Sequence, residues 1–199
     1  DGYRSLRGEH TGAQLTELVP FLLTHFARSA NPDAAVLAFD RFLAKLHGAG
    51  RLFSLLRQNP DLMALIALVL GTAPRLAEGL AQFPDVMDAV IDPAFFGALP
   101  EEDELRAVLD RSLQQAGGYE DFLDRIRIFA QEQMFLIGTR ILSGTVSAEQ
   151  AGEAYARLTD MLIRSLYRAV EGEFKTLHGS IAGQEIAILS LGKLGGREM

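Results

Sequence analysis

The stretch "IAILSLGKLGGREM", residues 186–199, is where chemistry is most plainly suggested. An apolar run meets Gly192, Gly195 and Gly196, with Lys193 among them. Glycine has no Cβ, so Gly195 and Gly196 can take positive φ and let backbone N–H groups approach a phosphate closely. The pattern is not a Walker loop. Gly192-Lys193 is followed by Leu194 instead of serine or threonine, and Ala187 stands where the earlier glycine belongs. It is not a dinucleotide fingerprint either, because GxGxxG is absent. A plain glycine turn leaving a strand is the competing reading.

Other reactive residue types are scattered. His10, His25, His47 and His178 form no HExxH-like pair and read as surface or partly packed residues. No serine sits in a GxSxG elbow. The run Glu101, Glu102, Asp103, Glu104 holds four consecutive acids. Consecutive carboxylates splay around a helix, so the run reads as an acidic first turn at the positive end of the dipole and not as a metal site. Met134 and Phe135 fall in a helical stripe and read as core. No catalytic residue and no metal ligand is assigned within residues 1–199.

Composition narrows the classes further. The chain has 199 residues, 48% of them hydrophobic, enough for a sizeable core. The absence of cysteine excludes disulfides, thiolate metal sites and a cysteine nucleophile. The formal net charge is -7, and no basic stripe of the kind a nucleic acid needs is present. Arg125 and Arg127 are flanked by acids and read as a solvated helix face. The longest apolar stretch, "LMALIALVLG" at 62–71, is too short to span a bilayer, which takes about 20 residues. A polar start without a signal peptide gives the expectation of a soluble, cytoplasmic protein and no membrane partner. The odd beginning and abrupt end suggest a piece of something longer.

The elements that must position the glycine turn are helical. Leu15, Leu18, Val19, Leu22, Leu23 and Phe26 recur at helical spacing over 11–29. Asn31-Pro32 and Asn59-Pro60 read as N-caps followed by proline at the first helical position. Thr72 before Pro74, Pro84-Asp85 and Asp92-Pro93 read as further helix starts. Their uneven spacing argues against a solenoid. After Pro100 an acidic-first helix runs to Gly117-Gly118. A helix from Tyr119 to Ser143 follows, with Phe122, Ile126, Phe129, Ala130, Met134, Ile137 and Ile141 on one face. Ser147 and Gln150 predict a capping box. The helix it opens, about Ala148 to His178, carries Tyr155, Leu158, Leu162, Leu166, Val170, Phe174 and Leu177 as its stripe. Two long helices joined by a short turn should pack antiparallel. A strand is predicted over Glu185–Leu191. The expected fold is therefore all-α, a multi-helix bundle over residues 1–180. Residues 181–199 are expected to begin a second domain with that strand and the glycine turn.

The closing segment resembles the opening of the nucleotidyltransferase domain of glutamine synthetase adenylyltransferases, members of the DNA polymerase β-like superfamily. Leu194-Gly195-Gly196 match the family's triplet of a hydrophobic residue, glycine, and glycine or serine. "NPDAAVLAFDRFLAKL", the segment from "LFSLLRQNPDLMALIALVLG" onward, and "RIRIFAQEQMFLIGTRIL" resemble the helical region that precedes that domain. "GGREM" is more similar to the carboxy-terminal, adenylylating half than to the deadenylylating half. The resemblance implies transfer of AMP from ATP to a tyrosine of glutamine synthetase, with removal by the other half. It implies ATP and Mg2+ as cofactors, Gly195 and Gly196 as nucleotide-binding residues, and control by glutamine and a PII-type signal protein. The family's paired aspartates are expected beyond Met199, so these residues by themselves are expected to be inactive. A non-catalytic helical protein-interaction module is the alternative.

Overall fold

The computed structural model describes residues 9–46, 49–82, 87, 90, 95, 97–180, 182–183 and 185–198. The predicted helix starts at Pro84-Asp85 and Asp92-Pro93, with His47 and the side chain of His10, lie outside the described residues. The described residues are all-helical. In chain order the helices are α1 Glu9–Phe26, α2 Pro32–Lys45, α3 Ala49–Gln58, α4 Pro60–Thr72 and α5 Pro74–Gln82. There follow α6 Glu102–Leu113, α7 Tyr119–Leu142, α8 Ala148–His178 and a single turn, α9 Gly192–Gly195.

The chain packs as two compact units, Asp1–Gly97 with Gly138–Thr145, and Ala98–Ile137 with Val146–Met199. In the first unit α4 touches α1, α2, α3 and α5. That central place is why α4 is apolar around most of its circumference. Leu62, Met63, Leu65, Ile66, Val69 and Leu70 are all buried. Phe26, Phe39 and Phe42 meet beside it, with ring centroids 5.7 Å and 6.4 Å apart along that series. Among the described residues no single helix is long and apolar enough to cross a membrane.

The helix starts follow local chemistry. The Asn31 side chain accepts from the Ala34 N–H at 3.1 Å, with Pro32 opening α2. Asn59 behaves differently. Its amide donates backward to the Leu55 carbonyl at 3.3 Å and makes no cap bond to α4. Thr72 likewise donates to the Leu68 carbonyl, closing α4 instead of opening α5. Ser147 and Gln150 form the predicted capping box at α8. Gly144, at φ +73, takes the left-handed conformation that turns the chain out of α7.

In the second unit, Leu109 of α6, Ile126 and Phe129 of α7, and Ala154, Leu158, Met161 and Leu162 of α8 share one core. The Tyr155 hydroxyl of α8 donates to the Met134 carbonyl of α7 at 3.2 Å. These residues lie on either side of the 143–147 turn, as antiparallel neighbours must. The stripe read for α7 needs one adjustment. Met134 and Ile141 are partly exposed, whereas Phe135, Thr139 and Arg140 are buried. Residues 138–145 pack with the first unit, so a stripe read for one core gives way there.

The strand predicted over Glu185–Leu191 does not form. Residues 185–191 have no regular secondary structure, and no strand exists among the described residues. A strand is completed only by a neighbour that accepts and donates along its length. Ile186, Ile188, Leu189 and Leu191 all stand exposed as a result.

Candidate functional site

The glycine segment is shaped by close backbone contacts. Leu191 is extended, at φ -123 and ψ 166, and precedes the turn α9, which lies against α8. The left-handed glycine is Gly192, at φ +63, while Gly196 has φ -81. Arg197 is also left-handed, at φ 56. The Gly196 N–H donates to the Gly192 carbonyl at 2.9 Å and the Glu198 N–H to the Lys193 carbonyl at 2.8 Å. Gly195 has a different reason to be glycine. A Cβ there would stand 2.5 Å from the Ser190 carbonyl oxygen. The backbone therefore folds back on itself at a distance only hydrogen tolerates. Lys193 is exposed on the same turn.

The acidic run does what its position at a helix start suggests. Glu101 is the N-cap of α6, and its N–H donates to the Glu104 carboxylate at 3.3 Å. Glu102 accepts from Arg106 at 2.6 Å. Among the described residues no three histidine, aspartate or glutamate side chains converge as metal ligands. His25 is half-buried, and the exposed His178 ring lies 4.7 Å from the Phe174 ring.

Two arrangements were not evident from residue spacing. The first is a corner between α6 and α7. Asp121 Oδ2 accepts from the Gly117 N–H at 2.9 Å and from Arg125 Nε at 3.0 Å. Arg125 also donates to the Ser112 carbonyl at 3.2 Å. The Gly117 hydrogen bond, then Arg125, holds the Asp121 carboxyl below the usual carboxylate range. Arg127 pairs with Asp124 at 3.0 Å in the open, as a solvated face would. The second is a buried guanidinium. Arg140 is 6% exposed and lies 4.2 Å over the Phe95 ring, in a cation–π contact. Desolvation pushes its pKa below the ordinary arginine range. Among the described residues its Nε has no hydrogen-bond partner, nor has the buried Thr139 hydroxyl beside it. The signal in the sequence was a charge three residues after Ile137, on a stripe that should have stayed apolar.

The described residues form helical units followed by a glycine turn, and the class of protein comes from comparison with known proteins. The chain belongs to the glutamate-ammonia ligase adenylyltransferase family, whose model matches residues 63–199. It is 54% identical over 197 residues, 99% of its length, to the bifunctional glutamine synthetase adenylyltransferase/adenylyl-removing enzyme of Bradyrhizobium sp. strain BTAi1. The proteins of the same name from Rhodopseudomonas palustris strain HaA2 and Xanthobacter autotrophicus are 54% and 50% identical over the whole chain. The chain spans 20% of the length of each of these relatives. No solved structure matches it.

Proposed function

We infer that this chain is the helical portion, and the threshold of the catalytic portion, of an enzyme that moves AMP between ATP and a tyrosine of glutamine synthetase. The observation carrying this reading is the 54% identity, along 99% of the chain, to a relative named for adenylyl transfer to and removal from glutamine synthetase. Residues 1–180 form a cytoplasmic linking and regulatory module, responsive to glutamine and a PII-type protein. Residues 181–199 open the nucleotidyltransferase domain, and 185–191 become its first strand when a neighbouring strand supplies the ladder. The similarity of "GGREM" to the adenylylating half supports placing the chain in that half.

The chemistry divides between residues in this chain and residues outside it. Nucleotidyl transfer displaces pyrophosphate, and metal ions held by carboxylates stabilise the attacking and leaving oxygens. The described residues hold no such acidic cluster, so no step through Mg2+ is assigned to them. Gly195 and Gly196, with the exposed Lys193, are the residues proposed to position a triphosphate. The Gly196 N–H, bonded to the Gly192 carbonyl in this structure, would exchange that bond for one to phosphate. The test uses mass spectrometry of glutamine synthetase after incubation with ATP and magnesium ion. The 199-residue chain should add no AMP. The full-length enzyme should add it, and Gly195→Val in that enzyme should abolish the addition. AMP added by the 199-residue chain, or full activity in the valine variant, would overturn the reading.

A further inference from the structure

The first unit contains a groove that the adenylyl-transfer reading leaves without a role. It has a volume of 590 Å³ and is bounded by α2, the end of α4, and α5. Part of its wall is apolar, formed by Ala34, Ala38, Leu70, Pro74, Ala77 and Ala81, and Asn31, Thr72 and Gln82 add polar groups. Its volume falls within the range of small-molecule sites, about 300–1,000 Å³. The groove is not a product of loose packing. At Gly71, on its lip, an added Cβ would overlap the Ser29 side chain, so α4 and the residues leading into α2 are already in close contact. Leu37 lines the groove and is 56% exposed, apolar surface that an occupant would cover.

The charges on the rim specify the occupant. Arg41 and Lys45 both line the groove, one helical turn apart on α2. Neither makes an ion pair among the described residues. Like charges at this spacing repel, and an anion between them relieves the repulsion. Glu78 on α5 lines the same groove and limits how much negative charge it accepts. We propose that this groove binds a small organic anion, a carboxylate or phosphate monoester with a compact apolar body. Its head group lies against Arg41 and Lys45, and its body lies on the alanine walls. The groove belongs to the first unit and the glycine turn to the second, and the proposal does not depend on the adenylyl-transfer reading.

The experiment is titration of the 199-residue chain, followed by methyl NMR and calorimetry. Phenylacetate and phenyl phosphate serve as probes, with benzyl alcohol and benzylamine as uncharged and cationic counterparts. Either anion should bind with Kd at or below about 1 mM and shift the methyls of Ala34, Ala38, Ala77 and Ala81. Tighter binding of phenyl phosphate makes the natural head group a phosphate ester; tighter binding of phenylacetate makes it a carboxylate. Arg41→Gln with Lys45→Gln should weaken binding at least about tenfold. Ala38→Leu, which fills the groove and leaves the charges alone, should weaken it similarly, and the helical circular dichroism of each variant verifies its fold. Equal binding of benzyl alcohol, no binding of either anion at about 10 mM, or undiminished binding by the folded variants would overturn the proposal.

Discussion

The two halves of α8 follow the same apolar rhythm and end in opposite environments. From Ala148 to Leu162 the helix is embedded, with Ala151, Ala154, Leu158, Met161 and Leu162 in the core of the second unit. From Ile163 to His178 it contributes no buried residue, and Val170, Phe174 and Leu177 stand in solvent. No residue of this half is buried on any face, so the main cause is that no element among the described residues covers it along its length. Rotation of the stripe adds to this. A residue turns the helix about 100°, so each step of four residues overshoots a full turn by about 40°. Four such steps, from Leu158 to Phe174, swing the stripe roughly 160° away from the core. A stripe written in steps of four is therefore a spiral, and only one sector of it faces any given neighbour. The exposed half compensates locally, by the Glu171–Lys175 pair at 2.9 Å and the Phe174–His178 ring contact.

The largest test of this contrast is a pair of identical truncations. Leu158→Ala, at 1% exposure, should destabilise the second unit by about 2–5 kcal/mol in urea unfolding followed at 222 nm. Leu177→Ala, at 67% exposure, should change it by no more than about 0.5 kcal/mol. Equal losses would mean that the two halves are embedded alike. A smaller effect is expected where the embedded half begins. Ser147→Ala removes the acceptor for the Gln150 N–H and should cost about 1 kcal/mol in the same assay.

The smallest effect concerns pH and the helix packed against that embedded half. Asp121 has a folded-state pKa depressed first by the Gly117 hydrogen bond and then by Arg125. A depressed carboxyl stabilises the fold above its unfolded pKa of about 3.9, and the benefit drains away as pH falls through the folded value. Asp121→Asn should therefore be less stable than the parent chain at neutral pH. The gap should close in urea melts taken below about pH 4. A gap that stays constant down to the lowest pH would detach the corner from this carboxylate's charge.

Much of the helical architecture was legible because helix ends are written in local chemistry. Asn31-Pro32, Ser147 with Gln150, and the acidic start of α6 each act through bonds within four residues. Asn59 and Thr72 show the limit of that reading. Both are capping types before a proline, yet each bonds back to the preceding helix. Side-chain burial was less legible, because it depends on partners distant in sequence. Arg140 is buried although charged, and Leu177 exposed although apolar, and neither fact is set by near neighbours. The strand over 185–191 is absent among the described residues for the same reason: its apolar run marks willingness to pair, and pairing takes a second strand. At the glycine segment the residue types were informative, but their roles were distributed differently. Positive φ falls on Gly192 and Arg197, and tight approach on Gly195.

That tight approach has an evolutionary side. Because a methyl at position 195 would collide with the Ser190 carbonyl, the codon is constrained by the chain's own bend before any nucleotide arrives. In a library selected for folding alone, alanine should be depleted there and tolerated at neighbouring Lys193. A ligand landing on this bend would inherit a ready-made mould, so the ordering entropy of the turn would already have been met when the protein folded.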